Sequence, residues 1–177
     1  DADWFRGLGA EETAGQFTVE LPQGWQTVET PVQFPVCKGR TPAWVQYVQS
    51  RRLEVTCGEA PFLASRYDAA TGEMIPVARR IGILDRKLRV VSENAATEEE
   101  WRKYATHAVQ STYGYEYQGD NLLLARVNLL LTYAEHLQAR WQRKPTKEEL
   151  QPIATIISWN LWQVDGLHLS VPSLSLI

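Results

Sequence analysis

One short stretch, Leu53 to Leu63, constrains the fold of this chain more than any other part of its sequence. It reads LEVTCGEAPFL, an apolar strand that runs into a tight turn. Gly58 can adopt the positive φ that such a turn often needs, and Pro61 suits the first position of a helix, which we expect to continue to about Tyr67. A strand, turn and helix in this order leave free backbone N–H groups at the carboxyl edge of a sheet, where open α/β sheets bind nucleotide-like ligands. An ordinary turn without a ligand has the same pattern, so this stretch alone leaves both interpretations open.

A second strand is predicted over the aromatic run Thr112–Tyr117, and it ends beside the acidic residue Glu116. A turn and a long apolar helix follow it. In nucleotide-binding α/β folds, a carboxylate at the end of the second strand accepts hydrogen bonds from ribose hydroxyls. Glu116 lies farther from Gly58 than the usual spacing of about 20 residues, so we interpret residues 68–110 as a helical insertion on one face of the sheet. The alternative is that Glu116 is an ordinary acid at a strand end.

The third strand is predicted within residues 160–167, where it closes in the dipeptide Asp165-Gly166. Asp165 either contacts a ligand or belongs to a simple Asp-Gly turn. Helices are expected to begin at Thr97 and after Pro145, because a capping residue followed by acidic residues in the first turn is typical of a helix start. A basic run between Arg79 and Arg89 indicates a solvated helix face or, less commonly, a phosphate contact.

Composition restricts the class of protein. The chain has 177 residues, of which 44% are hydrophobic and 22% charged, and this is typical of a globular domain. We expect an irregular segment over residues 1–36 and one domain over 37–177. No apolar run is long enough for a membrane span. The two cysteines are too few for a disulfide framework or a zinc site, so we expect no metal and a cytoplasmic setting.

The net charge of −3 argues against a chain that binds DNA by itself, because phosphate contacts need a basic surface. If the chain acts on DNA, its main contacts with the duplex should lie elsewhere.

Four stretches resemble, in order, motifs of the S-adenosylmethionine-dependent adenine-N6 DNA methyltransferases. Arg40-Thr41-Pro42 and the following helix resemble motif X, and LEVTCGEAPFL resembles motif I. Ala60 stands at the position where the family usually has a small residue or glycine. The segment from Thr112 through the pattern that ends at Leu129 resembles motif II. The strand that ends in Asp165 resembles motif III.

The resemblance implies a role for each matching position. Glu54 and the turn after it would hold the methionine part of S-adenosylmethionine, with Thr41 and Pro42 leaning over it. Glu116 would bind the ribose, and Asp165 would accept a hydrogen bond from the adenine amino group. The implied cofactor-binding residues are Thr41, Pro42, Glu54, Thr56, Cys57, Gly58, Glu59, Glu116, Tyr117, Asp165, Gly166 and Leu167.

The resemblance also implies a fold and an activity. The fold would be a Rossmann-like methyltransferase domain, α/β with a mostly parallel sheet flanked by helices, incomplete at its C-terminal side. The function would be the cofactor-binding part of a DNA methyltransferase from a restriction–modification system. The family's catalytic Asn/Asp-Pro-Pro-aromatic tetrapeptide is missing, since no Pro-Pro occurs in the chain. We therefore assign no catalytic residue, and we expect DNA to be contacted through a partner subunit or a missing C-terminal half. The alternative is a non-catalytic module that binds S-adenosylmethionine or another nucleotide.

Overall fold

The computed structural model describes residues 41–68, 70–165, 168 and 170–171. The chain divides into two compact units, Asp1–Tyr47 and Val48–Ile177. The predicted irregular segment 1–36 lies outside the described residues. Helix α1, Ala43–Gln49, crosses the boundary between the units and begins just after Thr41 and Pro42, as its sequence predicts. The candidate site described below belongs to the second unit.

A three-stranded parallel sheet forms the centre of the second unit. Its strands are β1, Arg52–Val55, β2, Thr112–Glu116, and β3, Leu161–Gln163, and they lie in the order β1-β2-β3. Leu53 pairs with Tyr113, and Tyr115 pairs with Trp162. The expected parallel sheet is confirmed for these three strands. Because they are parallel, their carboxyl ends meet at one edge of the sheet.

Helices fill both connections between the strands. A short 3₁₀ helix, Val77–Arg79, precedes α2, Ile83–Asn94, and α3, Glu98–Gln110, and these three join β1 to β2. The connection from β2 to β3 contains α4, Gly119–Trp141, and α5, Lys147–Asn160. Helix α2 packs on α3 and α4, and α5 packs on the same two helices. The α/β architecture expected from the sequence is therefore present. The largest fully buried apolar side chains of its core are Trp101, Leu63, Leu84, Leu88, Leu129, Leu137, Ile157 and Leu161.

Two helix starts follow the capping rules. The Thr97 side chain accepts a hydrogen bond from the Glu100 N–H at the start of α3. Thr146 and Glu149 form a reciprocal capping box at the start of α5. Such caps satisfy N–H groups that have no partner within the helix. Both starts confirm the sequence predictions.

The helix predicted from Pro61 to about Tyr67 is wrong, because only a single turn forms there. A helix would need the Phe62 and Leu63 carbonyls for its own N–H groups four residues on. Those carbonyls instead accept from the Ile83 and Leu84 N–H groups at the start of α2, each at 2.8 Å. The Ser65 N–H, which a helix would also need, donates to the Asp85 carboxylate at 2.8 Å. The segment thus caps α2 and does not continue as a helix.

The prediction that the basic run between Arg79 and Arg89 forms a solvated face is wrong for two of its members. Arg80 and Lys87 are buried. The Lys87 ammonium donates to the Ser50 carbonyl at 2.7 Å and to the Ser111 carbonyl at 3.0 Å, and Arg80 forms an ion pair with Glu135. Buried cations need such partners. Both side chains therefore connect elements of the fold and are not on the surface.

The joint between the Leu63 segment and α2 generates a stability prediction. A Cβ atom on Gly82 would lie 2.6 Å from the Leu63 carbonyl oxygen and 2.6 Å from the Asp85 carboxylate. Gly82→Ala should therefore lower the free energy of unfolding by about 1–3 kcal/mol or more, the range for overpacking. Urea unfolding followed by circular dichroism measures it.

The matched control is Gly119→Ala at the start of α4, where the added Cβ would meet its nearest atom at 3.8 Å. This variant should stay within about 0.5 kcal/mol of the wild type. If Gly82→Ala were as stable as the control, the close contact at the start of α2 would be disproved.

Candidate functional site

The carboxyl edge of the sheet begins with a strained turn after β1. Three residues of this turn have positive φ: Thr56 at 65°, Gly58 at 56° and Ala60 at 69°. Gly58 adopts this conformation without steric cost, as the sequence predicts. Thr56 and Ala60 do not, and a β-branched residue with positive φ is an outlier. Such strain concentrates at binding and catalytic sites and persists only when the surrounding structure fixes it.

Glu116 ties this turn to the end of β2. Its carboxylate accepts the Gly58 N–H at 2.7 Å through one oxygen and the Gln118 N–H at 3.0 Å through the other. The side chain is buried. A carboxylate has about four acceptor positions, so two remain for further donors. Glu116 therefore connects two strand ends and keeps acceptor capacity at the edge.

Cys57 lies beneath the turn and is part of the packing. Its N–H donates to the Tyr115 carbonyl at 2.7 Å, and its side chain is buried. Burial, reinforced by the negative charges of Glu116 and Glu54, raises the pKa of the Cys57 thiol to about 12. A raised pKa keeps the thiol protonated at neutral pH and disfavours a nucleophilic role. Gly114 leaves the room that this thiol needs, since a Cβ there would lie 3.0 Å from the Cys57 sulfur.

Glu54 differs from Glu116 in its surroundings. It lies within β1, opposite Gly114, and is half-buried. In the described part of the chain no group donates a hydrogen bond to its carboxylate. Its acceptor positions are therefore open to solvent or to a ligand. The Thr56 hydroxyl beyond it is exposed and donates to the Val55 carbonyl.

Asp165 comes two residues after β3, at the same edge. The Val164 N–H donates to the Glu116 carbonyl at 3.0 Å, which fixes this strand end beside β2. The Asp165 carboxylate accepts the His168 N–H at 3.1 Å and lies 2.8 Å from the His168 ring nitrogen. Tyr117 is exposed, and its carbonyl accepts from the Gln163 side chain at 3.0 Å.

The other predicted positions are placed less fully. Gly166 and Leu167 lie outside the described residues. Thr41 and Pro42 are exposed and belong to the first unit, where the Pro42 carbonyl accepts the Val45 N–H at the start of α1. The edge of the second unit therefore gathers Glu54, the turn from Thr56 to Glu59, Glu116, Tyr117 and Asp165.

Asn128 is a member of the site that the sequence did not single out. Its side-chain amide donates to the Glu59 carbonyl at 2.9 Å, while the Tyr67 hydroxyl donates to the Glu59 carboxylate. The motif II pattern contains this asparagine, but its partner lies 69 residues earlier in the chain. Sequence spacing does not indicate such a contact. Glu59 is therefore held by the protein itself on both its carbonyl and its carboxylate.

Asn128 contacts a cluster formed by Arg66, Arg80 and Glu135. Arg66 donates to both Glu135 oxygens, at 3.1 and 2.6 Å, and also to the Asn128 side-chain oxygen at 3.1 Å. Arg80 forms a second ion pair with Glu135. Burial pushes the pKa of Glu135 up, but the hydrogen bonds from Arg66 and Arg80 outweigh it and hold that pKa below its ordinary value. Glu135 therefore stays ionised at neutral pH.

Comparison of the chain with protein-family models, curated proteins and solved structures finds no match in any of the three. Among the described residues, no three or more His, Cys, Asp and Glu side chains are grouped so as to hold a metal ion. Over the same ranges, no helix is long and apolar enough to cross a membrane. What this edge of the sheet does must follow from its own residues.

The Glu135 cluster predicts a specific dependence of stability on pH. Since the pKa of Glu135 is lower in the folded state, its contribution is present above about pH 4.3, the ordinary glutamate value, and is lost as pH falls through the folded pKa. Glu135→Gln should be less stable than the wild type by about 1–3 kcal/mol at pH 7. The difference should shrink as the pH falls below about 4.

Urea unfolding at neutral and acid pH measures both differences. Glu73→Gln is the control, because Glu73 is exposed and its side chain has no hydrogen bond in the described structure. A difference between Glu135→Gln and the wild type that stays constant with pH would contradict an ionised Glu135 in the folded cluster.

Proposed function

We propose that this chain is the S-adenosylmethionine-binding portion of a DNA adenine-N6 methyltransferase from a restriction–modification system, with a Rossmann-like sheet. One observation carries the proposal. Three adjacent parallel strands bring Glu54, the turn from Thr56, Glu116 and Asp165 to one sheet edge, in the chain order of the cofactor motifs. Open α/β sheets bind their ligands at this edge.

The proposed cofactor orientation assigns one part of the ligand to each strand end. The half-buried Glu54 carboxylate, which has no donor in the described structure, suits the ammonium group of the methionine part. The two free acceptor positions of Glu116 suit the ribose hydroxyls. Asp165, with Gly166 and Leu167 after it, suits the adenine ring and its amino group.

The chemistry of such a site is transfer of the cofactor's methyl group to an adenine amino nitrogen. The base is extruded from the duplex for this step. This chain would hold and orient the cofactor, and its turn would keep the methionine part fixed. The groups that hold the target base in the family belong to the Pro-Pro tetrapeptide, which the sequence lacks.

That missing tetrapeptide, with the net charge of −3, favours one alternative. The alternative is that the chain is a non-catalytic module or partner subunit that binds S-adenosylmethionine or another nucleotide. Both functions use the same edge of the sheet, so ligand binding tests their common part and methyl transfer separates them.

Calorimetry of the purified chain with S-adenosylmethionine and with S-adenosylhomocysteine tests the common part. Both should bind saturably. Glu54→Gln should weaken binding by about 1–3 kcal/mol, because a charged hydrogen-bond partner of the ligand is lost. Its stability should be nearly unchanged, since no described group donates to Glu54. Glu116→Ala should weaken binding by a similar amount.

The control for calorimetry is the exposed Glu73→Gln, which should bind like the wild type. If Glu54→Gln and Glu73→Gln bound equally well, Glu54 would have no role in the site. If the wild type bound neither compound, the proposed cofactor would be wrong.

The chain alone should not methylate DNA. Positioning the reacting groups is worth about 7–11 kcal/mol, and the residues that would position the base are missing from the sequence. Incorporation of labelled methyl groups into mixed genomic DNA at low salt measures this. Turnover above a control without protein would mean that residues within the chain replace the missing tetrapeptide.

A further inference from the structure

Asn128 on α4 contacts the strained turn from outside the sheet. It is buried, with 6% of its surface exposed. Its side-chain nitrogen donates to the Glu59 carbonyl at 2.9 Å and lies 3.4 Å from the Tyr67 hydroxyl. None of the strand ends that would bind the ligand supplies this contact. Asn128 therefore acts on the turn and does not line the edge itself.

The orientation of the Asn128 amide is fixed by Arg66. A guanidinium only donates hydrogen bonds, so the atom that faces Arg66 at 3.1 Å must be the amide oxygen. The NH₂ group then has to face the Glu59 carbonyl. Arg66 in turn is held by two hydrogen bonds to Glu135. The Arg66–Glu135 ion pair thus fixes the orientation in which the Asn128 NH₂ group donates to the turn.

The turn needs a support on this side. On the sheet side, Glu116 accepts the Gly58 N–H and Tyr115 accepts the Cys57 N–H. Ala60 has positive φ, and it follows Glu59 directly. A backbone in such a conformation relaxes unless its neighbours hold it on more than one side.

We infer that Asn128 is a positioning residue for the turn Thr56–Ala60, holding it in its strained conformation through the Glu59 carbonyl. The link between this positioning role and ligand binding rests on the proposed function, because the turn is the part assigned to the methionine end of the cofactor. The conformation of the turn itself does not depend on which ligand binds.

Asn128→Asp tests the inference. Aspartate has the same shape and keeps an oxygen for Arg66, but it loses the donor to Glu59. In the unliganded 177-residue chain, amide hydrogen exchange at Gly58 and Ala60 should accelerate about tenfold, the effect of losing one hydrogen bond. Exchange at Ala105 and Ala108 in α3 should stay as in the wild type.

Two further variants keep the test decisive. Asn94→Asp loses a comparable amide-to-carbonyl contact, to Val90 at 2.8 Å in α2, and should leave exchange in the turn unchanged. Asn128→Ala removes the donor without adding a charge, and it replaces Asn128→Asp if that variant does not fold. Equal acceleration in the turn and in α3, or no acceleration in the turn, would overturn the positioning role.

A ligand measurement separates this inference from the proposed function. With Asn128→Asp, affinity for S-adenosylmethionine should fall about tenfold and affinity for adenosine less than about twofold, because the methionine part contacts the turn directly, whereas the Gln118 N–H still holds the Glu116 carboxylate for the ribose. Equal losses for both compounds would overturn the positioning role. If the wild type binds neither compound, the proposed function fails, while the exchange measurement still decides the role of Asn128.

Discussion

The hydrogen bond from the Gly58 N–H to the Glu116 carboxylate is the contact on which the edge of the sheet depends. It joins the turn after β1 to the end of β2, and the second oxygen of the same carboxylate fixes the start of the segment that leads into α4. Without it, the Gly58 N–H would lose its acceptor and the buried Glu116 carboxylate would keep only the Gln118 N–H as a donor. A buried acid without donors is expensive, so the turn and the acid stabilise each other.

A second set of contacts holds the same turn from the helical side. Asn128 and Tyr67 bind Glu59, and Arg66, Glu135 and Arg80 fix the position of Asn128. The two sets together explain how a turn with three positive φ values persists. Glu116 accepts two N–H groups, whereas no described group donates a hydrogen bond to the half-buried Glu54 carboxylate. This difference between the two acids is the reason for proposing a ligand with a cationic group at Glu54.

Much of the fold could be predicted from local sequence. The strands follow from short apolar or aromatic runs that end in acids or turns, and the helix starts at Thr97 and Thr146 follow from capping residues. The parallel sheet was implied by the family resemblance, and the helices that fill both connections between the strands fit it. Local sequence therefore predicts which carboxylates lie near the strand ends.

The errors have one physical cause, which is competition from distant parts of the chain. The helix expected at Pro61 is lost because the Phe62 and Leu63 carbonyls bind α2, about 20 residues on. The basic run predicts Lys87 on a solvated face, but its side-chain nitrogen lies among the oxygens of Ser50 and Ser111. Asn128 was missed for the same reason, since its partner Glu59 is on another element.

A crystal structure of the chain with S-adenosylhomocysteine would show where the ligand binds. We expect the ligand at the carboxyl edge of the sheet, with its amino group at Glu54, its ribose at Glu116 and its adenine at Asp165. A ligand bound at the amino edge of the sheet, or an edge that stays empty at saturating ligand, would contradict it.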